Sequence, residues 1–338
     1  MVEKEKVSFE DIMASLDKDT LSKVKIGSEI NREIMPTASH GLNRILGGGF
    51  RKGKQHTIWG GEQSAKTGLM LCTAGINQKR GENIAWIDAE HSFDPEWAAK
   101  LGCDPDKILV SEVSTISELT DLQVKLIKQG FDMIVIDSTG ALMPKSYIEK
   151  DGSLKGFADT GQMGAVAKDL GQMCKMVQGI NYSCAVVHIS QARVDIGSAA
   201  MNKPFKPIGG KEVEHTDSFR VRLMSSKAEA KALMGQVNYG DVLLEQKIGI
   251  PVTWMVNKNK INGNYGSGDY DFYIKGDFLG LDTAGELLDA AVTFGIVEKG
   301  GAWYTVFGER FQGRPAAVAY LRSNEAVLEK IEGELNAK

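Results

Sequence analysis

One stretch, residues 60–67, restricts most strongly what this 338-residue chain can fold into. It reads Gly-Gly-Glu-Gln-Ser-Ala-Lys-Thr, follows a short apolar run at 56–59 and precedes a segment of helical composition. A loop of this kind between a strand and a helix turns backbone N–H groups toward an anion, and the positive end of the helix dipole adds to the attraction. The sequence therefore predicts a phosphate-binding loop in an α/β fold.

The loop nearly fits the pattern G-x-x-x-x-G-K-[ST], with Ala65 where the pattern has its second glycine. Lys66 is then placed to reach phosphate oxygens, and Thr67 to ligate Mg²⁺. A methyl group at Ala65 strains the loop by about 1 to 2 kcal/mol if its φ is positive, but it removes no N–H donor. We therefore expect nucleotide binding to survive, and an ordinary glycine-rich turn is the alternative.

Carboxylates end two further apolar runs. Residues 133–137 end in Asp137, and residues 84–88 end in Asp88, with Glu90 two positions later. Parallel strands bring their carboxyl ends to one edge of a sheet, which is where ligands of open α/β folds bind. Asp137 fits a place beside the nucleotide, and Glu90 is placed to orient water for the hydrolysis of ATP. A turn-forming Asp and a solvated or helix-capping Glu are the alternatives.

Composition restricts the surface charge, the metal sites and the cellular location that this chain can have. Lys and Arg number 40 against 44 Asp and Glu, a net charge of −4, so any nucleic-acid surface must be a local basic patch. The four cysteines and five histidines lack metal-ligand spacing, which disfavours a transition-metal site and indicates reduced, buried thiols. The sequence has no apolar run of about 18 residues and no signal peptide, and it therefore predicts a cytoplasmic protein.

Periodicity predicts three parts. The first part, residues 1–33, is predicted to be an N-terminal oligomerisation helix and linker, with a capping box formed by Ser8 and Asp11. The apolar stripe of this helix is expected to pack either on its own core or on a neighbouring subunit. Residues 34–279 predict a core with a mostly parallel sheet flanked by helices, and residues 280–338 a small α+β domain. The predicted core strands are 56–59, 84–88, 133–137 and 184–189, and the clearest helices are 116–127 and 163–180.

A second functional region is predicted at 194–210, which has three glycines, two prolines and no periodicity. Long structureless loops are usually functional or disordered. The residues from Arg193 to Lys211 include four cationic side chains and one carboxylate, a local charge of +3, and Met201 and Phe205 lie among them in the sequence. Basic groups interleaved with apolar ones suit contact with single-stranded nucleic acid. Residues 150–160 are a second candidate segment, and a solvated surface loop is the alternative.

Several motifs together resemble the bacterial RecA recombinase family over residues 5–330. They follow the phosphate loop in order, as Asp-Ala-Glu-His-Ser-Phe-Asp-Pro at 88–95, Ile-Asp-Ser at 136–138, Met-Pro-Lys at 143–145, Asn-Lys-Asn-Lys-Ile at 257–261 and Gly-Ala-Trp-Tyr at 301–304. The resemblance implies a RecA-like P-loop ATPase core with a mostly parallel twisted sheet flanked by helices, an N-terminal helix and a small C-terminal domain. It also implies filaments on single-stranded DNA, ATP bound between subunits, a DNA-dependent ATPase, and homologous pairing and strand exchange with double-stranded DNA in recombination, repair and the SOS response.

The resemblance assigns roles residue by residue. It implies that Glu90 activates water, that Gln191 senses the γ-phosphate and that Lys258 and Lys260 reach across a subunit interface to the neighbour's phosphates. The implied ATP and Mg²⁺ ligands are Gly60, Gly61, Glu62, Gln63, Ser64, Ala65, Lys66, Thr67, Gly68, Asp94, Trp97 and Asp137, with Thr67 and Asp137 on the metal and Asp94 and Trp97 on adenine. The implied DNA contacts, in segments 151–163 and 194–210, are Met163, Gly164, Arg193, Phe205, Gly209 and Gly210.

Three departures from the family pattern accompany Ala65. The interface stretch A-L-K-F-Y-[ST]-x-R is replaced at 213–220, the first DNA-facing loop is longer, and the acidic tail is absent. They suggest a diverged member, of a kind that a mobile element or virus carries. Two rival hypotheses are a ring-forming helicase on the same core and a catalytically weak DNA-binding mediator. A dehydrogenase is disfavoured because no G-x-G-x-x-G follows the first strand.

Overall fold

The structure, a computed structural model, describes residues 7–30, 33–149, 151, 153, 155, 164–194, 205–225, 232–240 and 242–338. Residues 1–32 and residues 33–338 are two compact units. In the first unit, helix α1 covers Phe9–Ser15, helix α2 covers Lys18–Lys23 and a 3-10 turn covers Gly27–Glu29. No helix in the described part of the chain has the length and apolar character needed to cross a bilayer.

The predicted N-terminal helix is present as α1, and the structure has a second short helix, α2, that the sequence did not predict. Ser8 does cap α1, since its Oγ accepts a hydrogen bond from the N–H of Asp11 at 3.1 Å. The chain then becomes extended at Leu16, and Asp17 begins α2 by accepting from the N–H of Thr20 at 2.9 Å. A good capping residue directly after the apolar stripe favours a new helix over continuation of the old one.

The core alternates strands and helices, as the sequence predicts. Its helices are α3 (His40–Leu46), α4 (Lys66–Lys79), α5 (Pro95–Lys100), α6 (Ile116–Lys128), α7 (Ala165–Ile180) and α8 (Gly210–Thr216), with 3-10 turns at Pro105–Lys107 and Lys145–Tyr147. Its strands are β1 (Ile34–Met35), β2 (Phe50–Arg51), β3 (Lys54–Gly60), β4 (Ile84–Asp88), β5 (Ile108–Glu112), β6 (Met133–Asp137), β7 (Ala185–Val194), β8 (Phe205–Pro207), β9 (Asp217–Ser225), β10 (Leu233–Tyr239), β11 (Val242–Asn259), β12 (Ser267–Tyr273) and β13 (Gly280–Leu281).

One large twisted sheet organises the core. Its strand order is β13-β12-β11-β9-β3-β7-β6-β4-β5, with β10 added to β11 and β8 to β7. Neighbours from β9 to β5 are parallel, whereas the strands beyond β9, and β8, pair antiparallel. Apolar cores cover both faces, one containing Ile58 and Trp86 and the other Ile136 and Leu170. This confirms the predicted α/β class, because only a sheet buried on both faces needs such continuous apolar strands.

A small domain follows the last core strand. It contains α9 (Thr283–Thr293), an antiparallel sheet of β14 (Glu298–Gly300), β15 (Trp303–Val306) and β16 (Glu309–Gln312), and helices α10 (Arg314–Arg322) and α11 (Glu325–Asn336). Glu286 fastens it to the core by accepting hydrogen bonds from Ser39 Oγ at 2.6 Å, the N–H of His40 at 2.8 Å and that of Gly41 at 3.0 Å. The exact boundaries at 33 and 279 stay predictions.

The stretch 194–210 is more ordered than the sequence predicts, wherever the structure describes it. Strand β7 continues to Val194, five residues beyond the predicted end at Ile189, and pairs with β8, so that Arg193 lies opposite Lys206 and Val194 opposite Phe205. Helix α8 then starts at Gly210. The short antiparallel pairing satisfies backbone groups without any apolar alternation, which is why periodicity missed it.

Candidate active site

The phosphate loop joins the end of β3 to the start of α4. A Cβ on Gly60 would lie 2.2 Å from the carbonyl oxygen of Leu223, so the backbone of β9 requires glycine there. Ala65 has φ +59°, and Gln63 has φ +57°. The strain anticipated for a positive φ at Ala65 is therefore present in this loop.

The start of helix α4 is suited to an anion. Ala65 precedes the helix and offers no side-chain cap, so the first N–H groups of α4 have no side-chain acceptor in the described structure. Lys66 Nζ donates to the carbonyl oxygen of Gly61 at 2.7 Å, which holds the ammonium group over the loop, and burial lowers its pKa. Gly68 is needed for packing, because its Cβ would lie 2.2 Å from Phe272 Cζ.

Oxygen atoms from β6 and α4 meet beside the loop. Thr67 Oγ1 donates to Asp137 Oδ2 at 2.7 Å. Burial raises the pKa of Asp137 to about 6, and the nearby carboxylates of Glu90 and Asp88 act in the same direction, whereas the Thr67 hydrogen bond opposes it. A hydroxyl and a carboxylate oxygen are ligands that suit Mg²⁺, and a divalent cation would favour ionised Asp137. The donor set therefore fits the metal that the sequence predicts.

Glu90 accepts hydrogen bonds from two side chains, one directly after the end of β6 and one on β7. Ser138 Oγ donates to Glu90 Oε1, and Gln191 Nε2 donates to the same oxygen at 3.1 Å. Gln191 is level with Gly60 in the pairing of β7 with β3. The structure thus brings together Glu90, Gln191 and the start of the phosphate loop, which lie far apart in sequence.

Asp88 and Ser138 are two residues of this site to which the sequence assigned no role. Asp88 Oδ1 accepts from the N–H of Glu90 at 3.2 Å, and its Oδ2 accepts from the N–H groups of Ser92 and Phe93, both at 2.7 Å. It therefore shapes the loop that carries Glu90. Both residues stand where an apolar strand ends, and a polar residue at that position was the available signal.

Asp94 and Trp97, predicted to contact adenine, belong to one helix start. Asp94 Oδ1 caps α5 by accepting from the N–H groups of Glu96 at 2.9 Å and Trp97 at 3.1 Å. Trp97 is partly buried against the core. Both residues follow Glu90 at the carboxyl edge of the sheet, and their contact with a base stays a prediction.

Lys258 and Lys260 do not lie beside the phosphate loop of their own chain. Lys258 pairs with Arg220, and Arg220 with Thr57, three residues before Gly60 and so roughly 10 Å down β3. Their Nζ groups donate to the last carbonyls of α8, Lys258 to Glu214 O and Lys260 to His215 O. Burial lowers the pKa of Lys258 to about 8, and the neighbouring Lys260 ammonium is the second largest cause of this shift.

The predicted DNA-facing positions are on neighbouring elements. Arg193 and Phe205 are exposed on the β7–β8 hairpin. Arg193 lies two residues beyond Gln191 on β7, and Phe205 is paired with Val194, three residues beyond Gln191. Gly209 (φ +122°) is the N-cap of α8 and Gly210 (φ +69°) its first residue, and Gly164 (φ +89°) is the N-cap of α7. Met163 lies outside the described residues. The roles of all these positions stay predictions.

Fold and site together define a P-loop nucleotide hydrolase: a parallel sheet, a phosphate loop before a helix, and carboxylates on neighbouring strand ends. A family model for the RecA N-terminal domain matches residues 4–273, and one for the RecA C-terminal domain matches residues 285–338. The chain belongs to the RecA family. As a member of it, the chain is an ATP-dependent DNA recombinase and a DNA-dependent ATPase.

Curated relatives named Protein RecA match along most of the chain. The relative from Cereibacter sphaeroides is 35% identical over 310 residues, which cover 90% of this chain and 84% of the relative. The relative from Kineococcus radiotolerans is 33% identical over 335 residues, covering 96% and 90%. The relative from Rickettsia bellii is 32% identical over 342 residues, covering 98% and 92%.

Proposed function

We propose that this recombinase polymerises as a helical filament on single-stranded DNA, with ATP and Mg²⁺ held between protomers, and pairs the bound strand with double-stranded DNA. One observation carries the proposal. Lys258 is level with Thr57 in the middle of β3, and Lys260 lies two residues further from the phosphate-loop edge of the same chain. Head-to-tail association of identical subunits brings opposite surfaces together and generates helical polymers. The location consistent with this activity is the cytoplasm, where chromosomal DNA and ATP occur together.

Within one protomer, the loop and the strand ends bind and orient. Backbone N–H groups of residues 61–67 and Lys66 would hold the phosphates, and Thr67 with Asp137 would hold Mg²⁺, which supplies charge neutralisation at the phosphate oxygens. Glu90 would orient the attacking water toward the γ-phosphate and accept its proton. The lysines of the next protomer add positive charge where negative charge develops in the transition state.

Strand β7 supplies a path from the nucleotide to the DNA-facing hairpin. Gln191 is hydrogen-bonded to Glu90 at 3.1 Å, and Arg193 lies two residues further along the same strand. A bound phosphate that accepted a hydrogen bond from Gln191 would compete with Glu90 and would displace β7 and the β7–β8 hairpin. Helix α8 provides a second path, since it begins after the hairpin at Gly210 and its last turn contains the carbonyls that accept from both lysines.

Mixed assemblies test the shared site. Lys66→Ala and the double variant Lys258→Ala/Lys260→Ala are each expected to lack DNA-stimulated ATP hydrolysis. An equal mixture of the two variants should regain about a quarter of the wild-type rate. In a random head-to-tail polymer, one subunit interface in four combines an unmutated phosphate loop from one variant with unmutated lysines from the other. Phosphate release is measured with and without single-stranded DNA.

Two outcomes would contradict the proposal. If the mixture stays inactive while both variants assemble on DNA, the site is not shared between protomers. If the wild-type rate is the same with and without DNA, nucleotide hydrolysis is not coupled to DNA binding. Closed rings instead of helical filaments in electron micrographs would favour the rival helicase.

A further inference from the structure

Strands β10 and β11 form a two-stranded ribbon that extends beyond the sheet. From residue 249 onward β11 pairs with β12 or β9, whereas over residues 242–247 its paired strand is β10. A two-stranded hairpin is at best marginally stable alone in water. Packing of one ribbon face on another surface would therefore stabilise it.

One face of the ribbon carries four aliphatic side chains, with Gln246 among them. Val237 lies opposite Leu244, and Val242 follows on the same face because side chains alternate along a strand. Ile248 continues this face, since a Cβ on Gly235 would lie 2.6 Å from Ile248 Cδ1. Val242 is 52% exposed and Leu244 is 46% exposed. We call Val237, Val242, Leu244 and Ile248 the apolar ribbon face.

The ribbon leaves the sheet at the phosphate-loop edge. Val252 of β11 is level with Ser225, the last residue of β9, and Ser225 Oγ donates to the carbonyl oxygen of Gln63 at 2.9 Å. Residues before Val252 therefore extend past that edge. The proposed function places the next protomer, with its Lys258 and Lys260, on this side of the nucleotide, and the inference rests on that function.

Charge favours a protein partner over DNA. Residues 233–248 carry Asp241, Glu245 and Lys247 as their only charged residues, so the ribbon has no cation excess to attract phosphate. The opposite end of the sheet, where Lys260 lies, exposes the rings of Tyr182 and Tyr265. A head-to-tail neighbour thus presents apolar area on the side that faces the ribbon.

We propose that the apolar ribbon face packs on the neighbouring copy of this chain in the filament and forms a second subunit contact beside the shared nucleotide. Its occupant is the protomer whose lysines complete the nucleotide site. Leu243 provides a matched control, because it is 61% exposed but lies on the opposite face, paired with Asn238.

Photocrosslinking tests the contact directly. The photoreactive residue p-benzoylphenylalanine replaces Val242 or Leu243 in the full chain, which is irradiated with single-stranded DNA and a non-hydrolysable ATP analogue. We expect protein dimers from position 242 at several times the yield from position 243. Crosslinks mainly to DNA, or equal yields at the two positions, would overturn the contact.

Assembly measurements separate this inference from the function on which it rests. Leu244→Ser should raise the protein concentration needed for sedimentable assembly on DNA by about fivefold, because half-exposed apolar area is no longer buried, whereas Leu243→Ser should not. If the wild type itself fails to assemble, the proposed function fails and this contact with it. Wild-type assembly with identical behaviour of both serine variants overturns the ribbon contact alone.

Discussion

Ala65 shows how one residue strains a binding loop without removing its chemistry. Its φ of +59° places Cβ where L-residues rarely have it, while its N–H remains available to an anion. Its methyl group is partly buried against the core and offsets part of that cost. Ala65 therefore affects loop stability more than loop function.

Replacing Ala65 by glycine should stabilise the protein slightly. Relief of the left-handed conformation is worth about 1 to 2 kcal/mol, whereas the partly buried methyl contributes about 0.8 kcal/mol at most. We expect the free energy of unfolding, measured in urea, to rise by up to about 1 kcal/mol. Gly81→Ala is the reverse control and should destabilise, since Gly81 has φ +84° and, apart from its chain neighbours, no atom of the described residues lies within 4 Å of the position that a methyl group would occupy. A loss of stability in Ala65→Gly would contradict this account.

At the scale of elements, β7 joins the candidate active site to the β7–β8 hairpin. Its buried part lies between β3 and β6, Gln191 contacts Glu90 at the sheet edge, and the remainder forms the hairpin with β8. Phe205 is 50% exposed on that hairpin. An exposed aromatic ring beside Arg193 and Lys206 suits stacking with an unpaired base.

Phe205→Ala should weaken binding of single-stranded DNA and leave nucleotide binding unchanged. Loss of one stacked base is worth about 1 to 3 kcal/mol, which predicts an increase in Kd of about five- to 150-fold at fixed salt. Phe205→Trp keeps a π-face and should bind nearly as the wild type does. Fluorescence anisotropy with a labelled oligonucleotide measures both. Equal Kd values for the Ala and Trp variants would exclude stacking at this position.

For the whole molecule, the sheet that aligns the site also buries titratable groups. His56 and His188 lie in adjacent central strands, and burial lowers their pKa values from 6.5 to about 3 and about 4. Burial raises the pKa of Asp217 from 3.8 to about 7, with Arg220 and Thr57 opposing the shift. The two effects have opposite signs on acidification: the folded state loses stability through the histidines and regains some through Asp217.

A difference between variants isolates one histidine. Below pH 6.5 the unfolded chain protonates His188 and the folded chain does not, so stability falls by about 1.4 kcal/mol per pH unit. Between pH 7.5 and pH 5.5, His188→Gln should therefore lose about 1.4 kcal/mol less than the wild type, since Asp217 and His56 contribute equally to both. Urea unfolding at the two pH values measures it. Identical losses would show that His188 is protonated in the folded protein.

Local sequence was sufficient to predict many of the strands and helices of this protein and its phosphate loop. Apolar runs ending in Asp88 and Asp137, the loop at 60–67 and the helical stripes of α6 and α7 each depend on neighbouring residues, and the structure has strands and helices there. Order and spacing of the motifs were sufficient for the family. Burial periodicity is a short-range property, so one sequence records it directly.

Long-range contacts required the tertiary structure. The hydrogen bonds of Ser138 and Gln191 to Glu90 join positions 48 and 101 residues apart, and no sequence pattern encodes them. The sheet order decides that Lys258 and Lys260 lie away from their own phosphate loop and that the β10–β11 ribbon leaves beside it. Motif, strand and helix thus followed from the sequence alone, whereas the side of the molecule on which each lies was decided by strand pairing between distant segments.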